Sequence, residues 1–275
     1  MPELPEVETI ARDLDAALRG ATVVDVRVRR PDVLREITPA TLRKRLIGAR
    51  VRRGWRRAKF VVVDFSTDDR LVVQPRFTGG LLIDDGRLSE SDRRYSTMAF
   101  HLEDGRQLHY SDVRRLGTVA LMRPARFDRY MGRLGPEPLE PTFGPQELAG
   151  ILGRSRQAVK KVIMDQTALA GVGNIYANEA LWRAQIDPSR SAQRVPADHI
   201  PALYEGIVGV LRESIKLRGT SARDYRDAFG ERGGFVARLD AYGRAGLPCR
   251  RCGARLIGTH AIDGRATVFC AHCQS

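Results

Sequence analysis

Four cysteines near the C-terminus constrain the fold of this chain more than any other feature. They form two Cys-x2-Cys pairs, Cys249/Cys252 and Cys270/Cys273, with 17 residues between the pairs. Each pair can wrap one edge of a metal ion, and two pairs complete the tetrahedral thiolate shell of structural zinc. Two disulfides or a redox pair would use the same residues. The spacing favours metal, and we predict one structural zinc ion within residues 241–275.

The chain is strongly basic, with a formal charge of +13 over 275 residues and a pI near 10.2. That excess favours polyanionic partners, of which nucleic acid is the first candidate. A membrane surface is a competing polyanion, but no apolar run approaches the roughly 20 residues needed to cross a bilayer. The N-terminus also lacks the basic, apolar and small-residue sections of a signal peptide. We therefore expect a soluble, cytoplasmic protein.

Strand and helix patterns occupy different halves of the chain. Residues 3–19 carry apolar side chains at helical spacing and end at Gly20. Short apolar runs then continue to Met122, punctuated by Asp-Gly turns, and predict an antiparallel sandwich or barrel. Five prolines between Arg123 and Gln146 predict a linker without regular structure. Beyond it, the apolar residues recur with a helical period.

These patterns predict an α+β protein in four parts. The Gly- and charge-rich stretch 218–234 has little apolar content and is expected to be a mobile loop of the helical part. The four parts are a β-sandwich over 1–123, a linker over 124–146, a helical domain over 147–240 and a zinc module over 241–275.

The first six residues, Met-Pro-Glu-Leu-Pro-Glu, could form part of a catalytic site. Removal of Met1 would expose the secondary amine of Pro2 as a nucleophile, with the carboxylates of Glu3 and Glu6 close by. An α-amino group titrates at about pH 7.7–8.0, so a useful fraction is unprotonated at neutral pH. The alternative is that Pro2 and Pro5 merely begin a helix, where proline and acidic residues are common.

Several basic and amide side chains are placed to contact phosphates. Asn174 closes a Gly-Val-Gly-Asn motif before a helix, where it is a suitable N-cap and exposed N–H groups favour an anion. Lys160 lies on the preceding helix. Arg265 follows the expected Asp-Gly turn of the zinc module, from which it can reach a phosphate or a groove. Lys59 ends a basic cluster before a strand. Ordinary solvated surfaces and a simple helix connection would explain the same residues.

Taken together, the motifs resemble those of the formamidopyrimidine-DNA glycosylase family of bacterial base-excision repair enzymes. The resemblance implies a β-sandwich that carries a catalytic N-terminal helix, a helix–two-turn–helix domain and a zinc finger, with DNA bound between the two halves. The matching stretches follow the family's order over the whole chain and are 2–9, 57–60, 134–139, 164–166, 171–177, 242–244 and the cysteine module with 265–267.

The resemblance also implies a reaction for the N-terminal amine. Pro2 would attack C1′ of the damaged nucleotide and form a Schiff base, and β- and δ-elimination would then leave a one-nucleotide gap. Glu3 would serve as the proton donor, and Glu6 would help position the nucleotide. The base must leave the helical stack before the amine can reach C1′.

Other residues receive roles from the same resemblance. Lys59 and Arg265 would contact phosphates and donate protons in the β- and δ-elimination steps. Asn174 and Lys160 would contact DNA, and the 218–234 loop would cap the flipped base.

The chain departs from the family's pattern where a flipped base leaves a gap in the duplex. Gln74 replaces the usual histidine, Phe77 the usual methionine and Leu116 the usual phenylalanine, whereas Arg114 is retained. Apolar side chains of either kind can wedge a base step. We therefore expect these four residues to contact DNA. The larger apolar side chain is on the loop of Phe77 instead of the loop of Leu116. These replacements should affect the choice of lesion more than the reaction itself.

The prediction is a monomeric, bifunctional DNA glycosylase and abasic-site lyase for oxidised purines such as 8-oxoguanine and formamidopyrimidines in damaged double-stranded DNA. An endonuclease VIII-like glycosylase for oxidised pyrimidines is one alternative, although Leu4 and the long 218–234 segment favour the purine branch. A damaged-DNA-binding protein without catalysis is the other. It would need the charge and the zinc module but neither Pro2 nor Glu3.

Overall fold

The computed structural model describes residues 2–222 and 224–275, which divide into two compact units. Unit 1 comprises Met1–Gly132 and Leu217–Gly234, and unit 2 comprises Arg133–Lys216 and Phe235–Ser275. The sequence places residues 218–234 with the helical domain, whereas in the structure they pack with the N-terminal half. Ile83 N–H, for example, donates to the Ala228 carbonyl at 2.8 Å. This long-range pairing leaves no periodic signal in the sequence.

Unit 1 contains two four-stranded antiparallel sheets, with the strand orders β1-β6-β7-β5 and β2-β3-β4-β8. Buried side chains from both sheets and from the first helix form one core, which confirms the predicted antiparallel sandwich. The strands are β1 (Val23–Val28), β2 (Val51–Arg57), β3 (Phe60–Phe65), β4 (Arg70–Gln74), β5 (Gly79–Asp84), β6 (Ser96–Leu102), β7 (Gln107–Asp112) and β8 (Thr118–Met122).

Helix α1 (Leu4–Leu18) packs directly on strand β2. Its apolar positions at helical spacing are buried in the core. Gly54 of β2 allows a close approach, because a Cβ at that position would lie 2.9 Å from the Ala11 carbonyl oxygen. The Gly54 N–H also donates to Asp15 Oδ1 at 2.8 Å. The middle and the C-terminal part of α1 are thus held against the sheet.

Three local expectations for unit 1 differ from the structure. The basic cluster before β3 is itself strand β2, since pairing with β3 overrides its high charge. The alternation of Val24, Val26 and Val28 with charged residues predicts one half-buried strand. A bulge between Val23 and Asp25 shifts this alternation in β1 and leaves Val24 47% exposed. The stretch predicted as an irregular linker begins with a helix, because its first proline occupies the favourable first turn. The helices of unit 1 after α1 are α2 (Pro39–Leu46), α3 (Glu90–Arg94) and α4 (Pro124–Met131).

Unit 2 combines four helices with a C-terminal β-hairpin. Helices α7 and α8 pack closely, because Gly206 lets the α8 backbone approach the Ala180 carbonyl. Within the described residues, no helix is both long and apolar enough to cross a membrane. The elements are α5 (Pro145–Gly153), α6 (Val159–Met164), α7 (Asn174–Arg183), α8 (Ile200–Lys216), β9 (Ile257–Thr259) and β10 (Thr267–Phe269).

Candidate active site and nucleic-acid interface

The start of helix α1 brings together the three predicted residues of the N-terminal motif. Pro2 is buried, and Glu3 and Glu6 are only 2% and 1% exposed. The Glu3 N–H donates to Glu6 Oε2 at 2.8 Å, which satisfies one of the free N–H groups of the first helical turn. The Glu6 carboxylate therefore lies against the peptide bond that joins Pro2 to Glu3.

The second oxygen of Glu6 is bound by the segment of residues 217–234. The Thr220 N–H donates to Glu6 Oε1 at 2.7 Å. Gly219 has φ +88° beside it, and a Cβ there would lie 3.0 Å from Glu6 Cγ and 2.9 Å from the Tyr225 ring. Both the backbone angle and the contact distance therefore require glycine. At Glu6 this segment reaches α1 through its main chain.

Lys59 stands at the turn between β2 and β3. It follows Ala58, whose φ of +50° places the turn in the left-handed region. The lysine is 9% exposed, so its side chain is held largely within unit 1. A strained residue immediately before a predicted phosphate ligand aims that side chain more firmly than an open loop would.

Two loops of unit 1 present the predicted wedge residues. Phe77 and Leu116 are 47% and 38% exposed, and the Arg114 guanidinium lies 5.2 Å from the centre of the Phe77 ring. The neighbouring Arg76 donates from Nε to Gln74 Oε1 at 3.4 Å. An exposed aromatic ring with a guanidinium on its face is suited to stacking against bases.

Asp112, which the sequence does not single out, ties the two wedge loops together. Its carboxylate is buried and accepts hydrogen bonds from the Thr78 hydroxyl at 2.5 Å and the Gly117 N–H at 2.8 Å. The Arg114 N–H also donates to it, at 3.2 Å. The sequence contained a signal for this role of Asp112, because an aspartate just before a Gly-containing loop commonly accepts hydrogen bonds from backbone N–H groups of that loop.

In unit 2, helix α7 supports the hairpin that carries Arg265. The N-cap of α7 is Gly173 rather than the predicted Asn174, because Gly173 has the extended backbone and Asn174 is the first helical residue. Asn174 instead donates its side-chain amide to the Ala266 carbonyl at 3.0 Å. One turn later, Asn178 Oδ1 accepts the Val268 N–H at 2.7 Å.

Lys160 is completely buried and holds the same hairpin from helix α6. Its ammonium donates to Thr267 Oγ1 at 2.7 Å and lies 3.4 Å from Asp263 Oδ1. That aspartate oxygen also accepts the Arg265 N–H at 3.1 Å. The predicted direct DNA contact of Lys160 does not fit this burial, and its contacts are instead with the hairpin turn. Burial could not be read from a Lys-Lys pair on a basic protein.

The next residue, Lys161, is exposed and lines a cavity of about 510 Å³ in unit 2. Arg154 and Arg265 line the same cavity, together with the carboxylates of Asp165 and Asp263. Three cations around one concave surface can attract a phosphate. Lys161 and Arg154 are therefore better placed than Lys160 to meet DNA, and the sequence alone did not distinguish them.

The four cysteines of the zinc module lie close enough to bind one ion. Their Sγ atoms all lie within 4.8 Å of one another, and Cys252 and Cys270 are 3.5 Å apart. Tetrahedral zinc with bonds of about 2.3 Å needs sulfur pairs about 3.8 Å apart. Burial tends to raise the pKa of the Cys249 thiol, but N–H groups of Arg251 and Cys252 outweigh it and bring the pKa to about 6. The donor set fits the predicted structural zinc.

Comparisons with known proteins agree with this fold. Family models described as the formamidopyrimidine-DNA glycosylase N-terminal domain and H2TH domain match residues 1–119 and 134–226. A formamidopyrimidine-DNA glycosylase of Heliobacterium modesticaldum is 39% identical over 277 residues, with all of both chains covered. One of Thermomicrobium roseum is 40% identical over 288 residues, covering 100% of this chain and 99% of the relative.

Solved structures give the same result. The Lactococcus lactis Fpg bound to DNA containing an abasic site has a TM-score of 0.90 and 31% identity, with 99% of both chains covered. The wild-type L. lactis protein with an N7-benzyl-Fapy-dG-containing DNA has a TM-score of 0.90 and 31% identity over both full chains. The predicted resemblance is confirmed, and the chain belongs to the formamidopyrimidine-DNA glycosylase family.

Proposed function

We propose that this protein is a bifunctional DNA glycosylase and abasic-site lyase that removes oxidised purines from duplex DNA. The observation that carries the proposal is the start of α1, where Pro2, Glu3 and Glu6 converge in a buried, hydrogen-bonded arrangement. Glu6 also caps the first turn of α1, but a non-catalytic binder would have no use for a nucleophilic Pro2 amine with an acidic residue directly beside it. Because one chain holds all of these groups, a monomer in the bacterial cytoplasm can perform the reaction.

The proposed reaction begins once Met1 is removed. The lone pair of the Pro2 nitrogen forms a bond to C1′, the bond from C1′ to the base breaks, and the base leaves with a proton. The sugar ring then opens as the C1′–nitrogen iminium forms, and Glu3 supplies the proton to the ring oxygen. The iminium acidifies C2′, so a C2′ proton passes to a base of the site or to water and the bond from C3′ to the 3′ phosphate breaks (β-elimination). Loss of a second proton from the unsaturated sugar breaks the bond from C5′ to the 5′ phosphate (δ-elimination), and water then hydrolyses the iminium and frees Pro2.

The remaining residues position the DNA for these steps. Lys59 directly follows the strained residue Ala58. It is placed to contact the phosphate that leaves in β-elimination. Arg265 stands on the hairpin fastened by Asn174 and Lys160 and suits a second phosphate. Glu6, with both oxygens engaged by N–H groups, faces the damaged nucleotide as a fixed acceptor.

Covalent trapping tests this mechanism. Borohydride reduces an iminium to a stable amine, so the wild-type protein should become linked to a duplex containing 8-oxoguanine opposite cytosine. The combined change Pro2→Gly and Glu3→Gln should remove the linked product, with duplex binding retained as the control. Absence of a linked species with wild type, or an unchanged yield with the variant, would overturn the mechanism and leave the binding-protein alternative.

Lesion specificity is a separate question, which the same assay addresses. Duplexes with dihydrouracil or thymine glycol test the endonuclease VIII-like alternative. We expect faster excision of 8-oxoguanine than of either pyrimidine. The reverse order would assign the protein to the pyrimidine branch while leaving the Schiff-base mechanism intact.

We expect Phe77 to be the principal wedge. Phe77→Ala should slow single-turnover excision about tenfold, because stacking of an aromatic ring on a base contributes about 1–3 kcal/mol. Leu116→Ala should slow excision about threefold, since it removes less apolar surface than Phe77→Ala does. Val113→Ala, at a 53% exposed apolar residue of the same loop, is the matched control and should change little. If Leu116→Ala slows excision more than Phe77→Ala does, Leu116 rather than Phe77 is the principal wedge.

A further inference from the structure

Arg218 joins the catalytic helix to the 217–234 segment. Its Nη2 donates to Asp13 Oδ2 of α1 at 2.7 Å and to Asp227 Oδ2 at 2.6 Å, and its Nε donates to Asp227 Oδ2 at 2.8 Å. Asp13 and Asp227 are 8% and 1% exposed. Buried carboxylates in contact with a guanidinium form strong, directional hydrogen bonds. Nothing in the reaction proposed above uses this cluster.

Each carboxylate of the cluster also organises the main chain. Asp227 Oδ1 accepts the N–H groups of Phe229 at 3.0 Å and Glu231 at 2.9 Å, which shapes the far turn of the segment. The Ala228 N–H lies 3.4 Å from Asp13 Oδ2. Burial raises the pKa of Asp13, and the Arg218 guanidinium opposes that shift. The Arg218 guanidinium is thus the positive charge that stabilises the buried carboxylates of both Asp13 and Asp227.

Arg218 makes these contacts from an unfavourable backbone. Its φ is +61°, a left-handed conformation that residues other than glycine seldom adopt. Glycine at this position would relieve the strain but would forfeit the guanidinium. A strained arginine that forms three hydrogen bonds indicates that the side chain, not the turn, is what the position requires.

The cluster lies on the same face of α1 as Glu6. Asp13 follows Glu6 by seven residues, which is two helical turns. The segment is attached to α1 through Arg218 and Ala228 at Asp13 and through the Thr220 N–H at the Glu6 carboxylate. The Tyr225 hydroxyl adds a longer contact, of 3.5 Å, to the Glu6 carbonyl oxygen. Since only one residue separates Arg218 from Thr220, fixing the first leaves the second little freedom.

We propose that Arg218 is a positioning residue for base excision, which holds the Thr220 N–H on Glu6 by clamping the 217–234 segment to Asp13. The proposal rests on the function proposed above, in which Glu6 faces the damaged nucleotide. The contact between the Glu3 N–H and Glu6 lies within α1 itself and does not depend on the segment. Loss of the clamp should therefore disturb the recognition of a base more than the chemistry at C1′.

Two measurements on the full-length protein test the clamp. Arg218→Gly should slow single-turnover excision of 8-oxoguanine about tenfold, but should change cleavage of a preformed abasic site by less than about twofold, because that substrate has no base to position. Hydrogen exchange at the Thr220 amide should accelerate at least about tenfold in the DNA-free variant, with peptides of β3 and β4 unchanged.

A matched control and a double mutant separate the clamp from general effects. Arg19→Ala breaks another arginine–aspartate pair of α1, in which Arg19 Nη2 donates to Asp15 Oδ2 at 2.5 Å away from the segment, and should leave both assays unchanged. Asp13→Asn should slow excision as Arg218→Gly does. The double variant should be no slower than the slower of the two single variants. Additive losses would show that the two residues act independently and would overturn the proposal.

Other outcomes also decide the matter. Equal slowing of both substrates, or normal exchange at Thr220, would overturn the clamp. If Arg218→Gly does not fold, Arg218→Lys keeps the charge without the forked geometry and should give an intermediate loss that spares the abasic substrate. Failure of covalent trapping with wild type would instead reject the proposed reaction, while amide exchange would still report on the clamp.

Discussion

Removal of zinc is expected to weaken binding to damaged duplex DNA at least about 100-fold while unit 1 stays folded. Structural zinc sites of this kind supply about 10–16 kcal/mol of apparent folding free energy in isolated fingers. The β9–β10 hairpin has only three residues in each strand, and such a hairpin has little stability of its own. Arg265 would lose its support together with the metal.

The packing around the cysteines explains why the effect should stay within unit 2. Cys249 and Cys270 are buried in a small cluster with Trp182, Leu256 and Val268, and all of these residues belong to unit 2. The sandwich core of unit 1 includes none of them. Chelation should therefore disorder the hairpin without exposing the residues of the sandwich.

Fluorescence anisotropy with a lesion-containing duplex, alongside circular dichroism of the β signal, measures both parts of this prediction. Cys270→Ser should act as chelation does, and added zinc should restore only the chelated wild type. His272→Ala is the matched control, because His272 is exposed and the described metal cluster consists of the four cysteines. Unchanged binding without zinc would remove Arg265 from the proposed interface.

The features that could be predicted from sequence are those set by local spacing. The cysteine pairs, the Asp-Gly turn before Arg265 and helix α1 all depend on neighbours within a few residues, and the structure contains each of them. The family resemblance then supplied what spacing alone could not, namely the target of the Pro2 amine.

The features that were missed depend on contacts between distant residues. Strand β2 carries four arginines, and its pairing with β3 rather than its composition makes it a strand. Lys160 can be buried because Thr267, far along the chain, accepts a hydrogen bond from its ammonium. Asp112 and Arg218 likewise have partners that a sequence pattern does not reveal. Tertiary hydrogen bonds of polar side chains therefore account for most of the differences between the sequence-based expectations and the structure.

Replacement of Glu3 by glutamine is expected to slow base excision by about 10²–10⁴-fold, the usual contribution of a positioned general acid or base. Glu3 is almost fully buried at the N-cap of α1, directly after Pro2. Glutamine keeps the volume and can occupy the same place, but it cannot transfer a proton at neutral pH. The expected loss is therefore chemical rather than structural, with binding to the lesion-containing duplex changed by less than about threefold.

Glu8 on the same helix provides the matched control. Its carboxylate accepts from Arg56 Nε at 2.9 Å and Arg12 Nε at 2.7 Å. Burial tends to raise the pKa of Glu8, but the two guanidinium groups outweigh it and hold the pKa below its usual value. Glu8 is therefore ionised at neutral pH and cannot serve as an acid, so Glu8→Gln should change excision by at most about threefold.

Single-turnover excision of 8-oxoguanine at neutral pH, measured with saturating enzyme, compares the two variants at the chemical step. A large loss with Glu3→Gln and a small one with Glu8→Gln would support proton transfer by Glu3. Equal losses would mean that negative charge on α1, rather than a proton donor beside Pro2, accelerates the reaction. Full activity of Glu3→Gln would move the proton-transfer role to another group. In that case Glu6, whose carboxylate accepts the Glu3 N–H, is the next residue to replace.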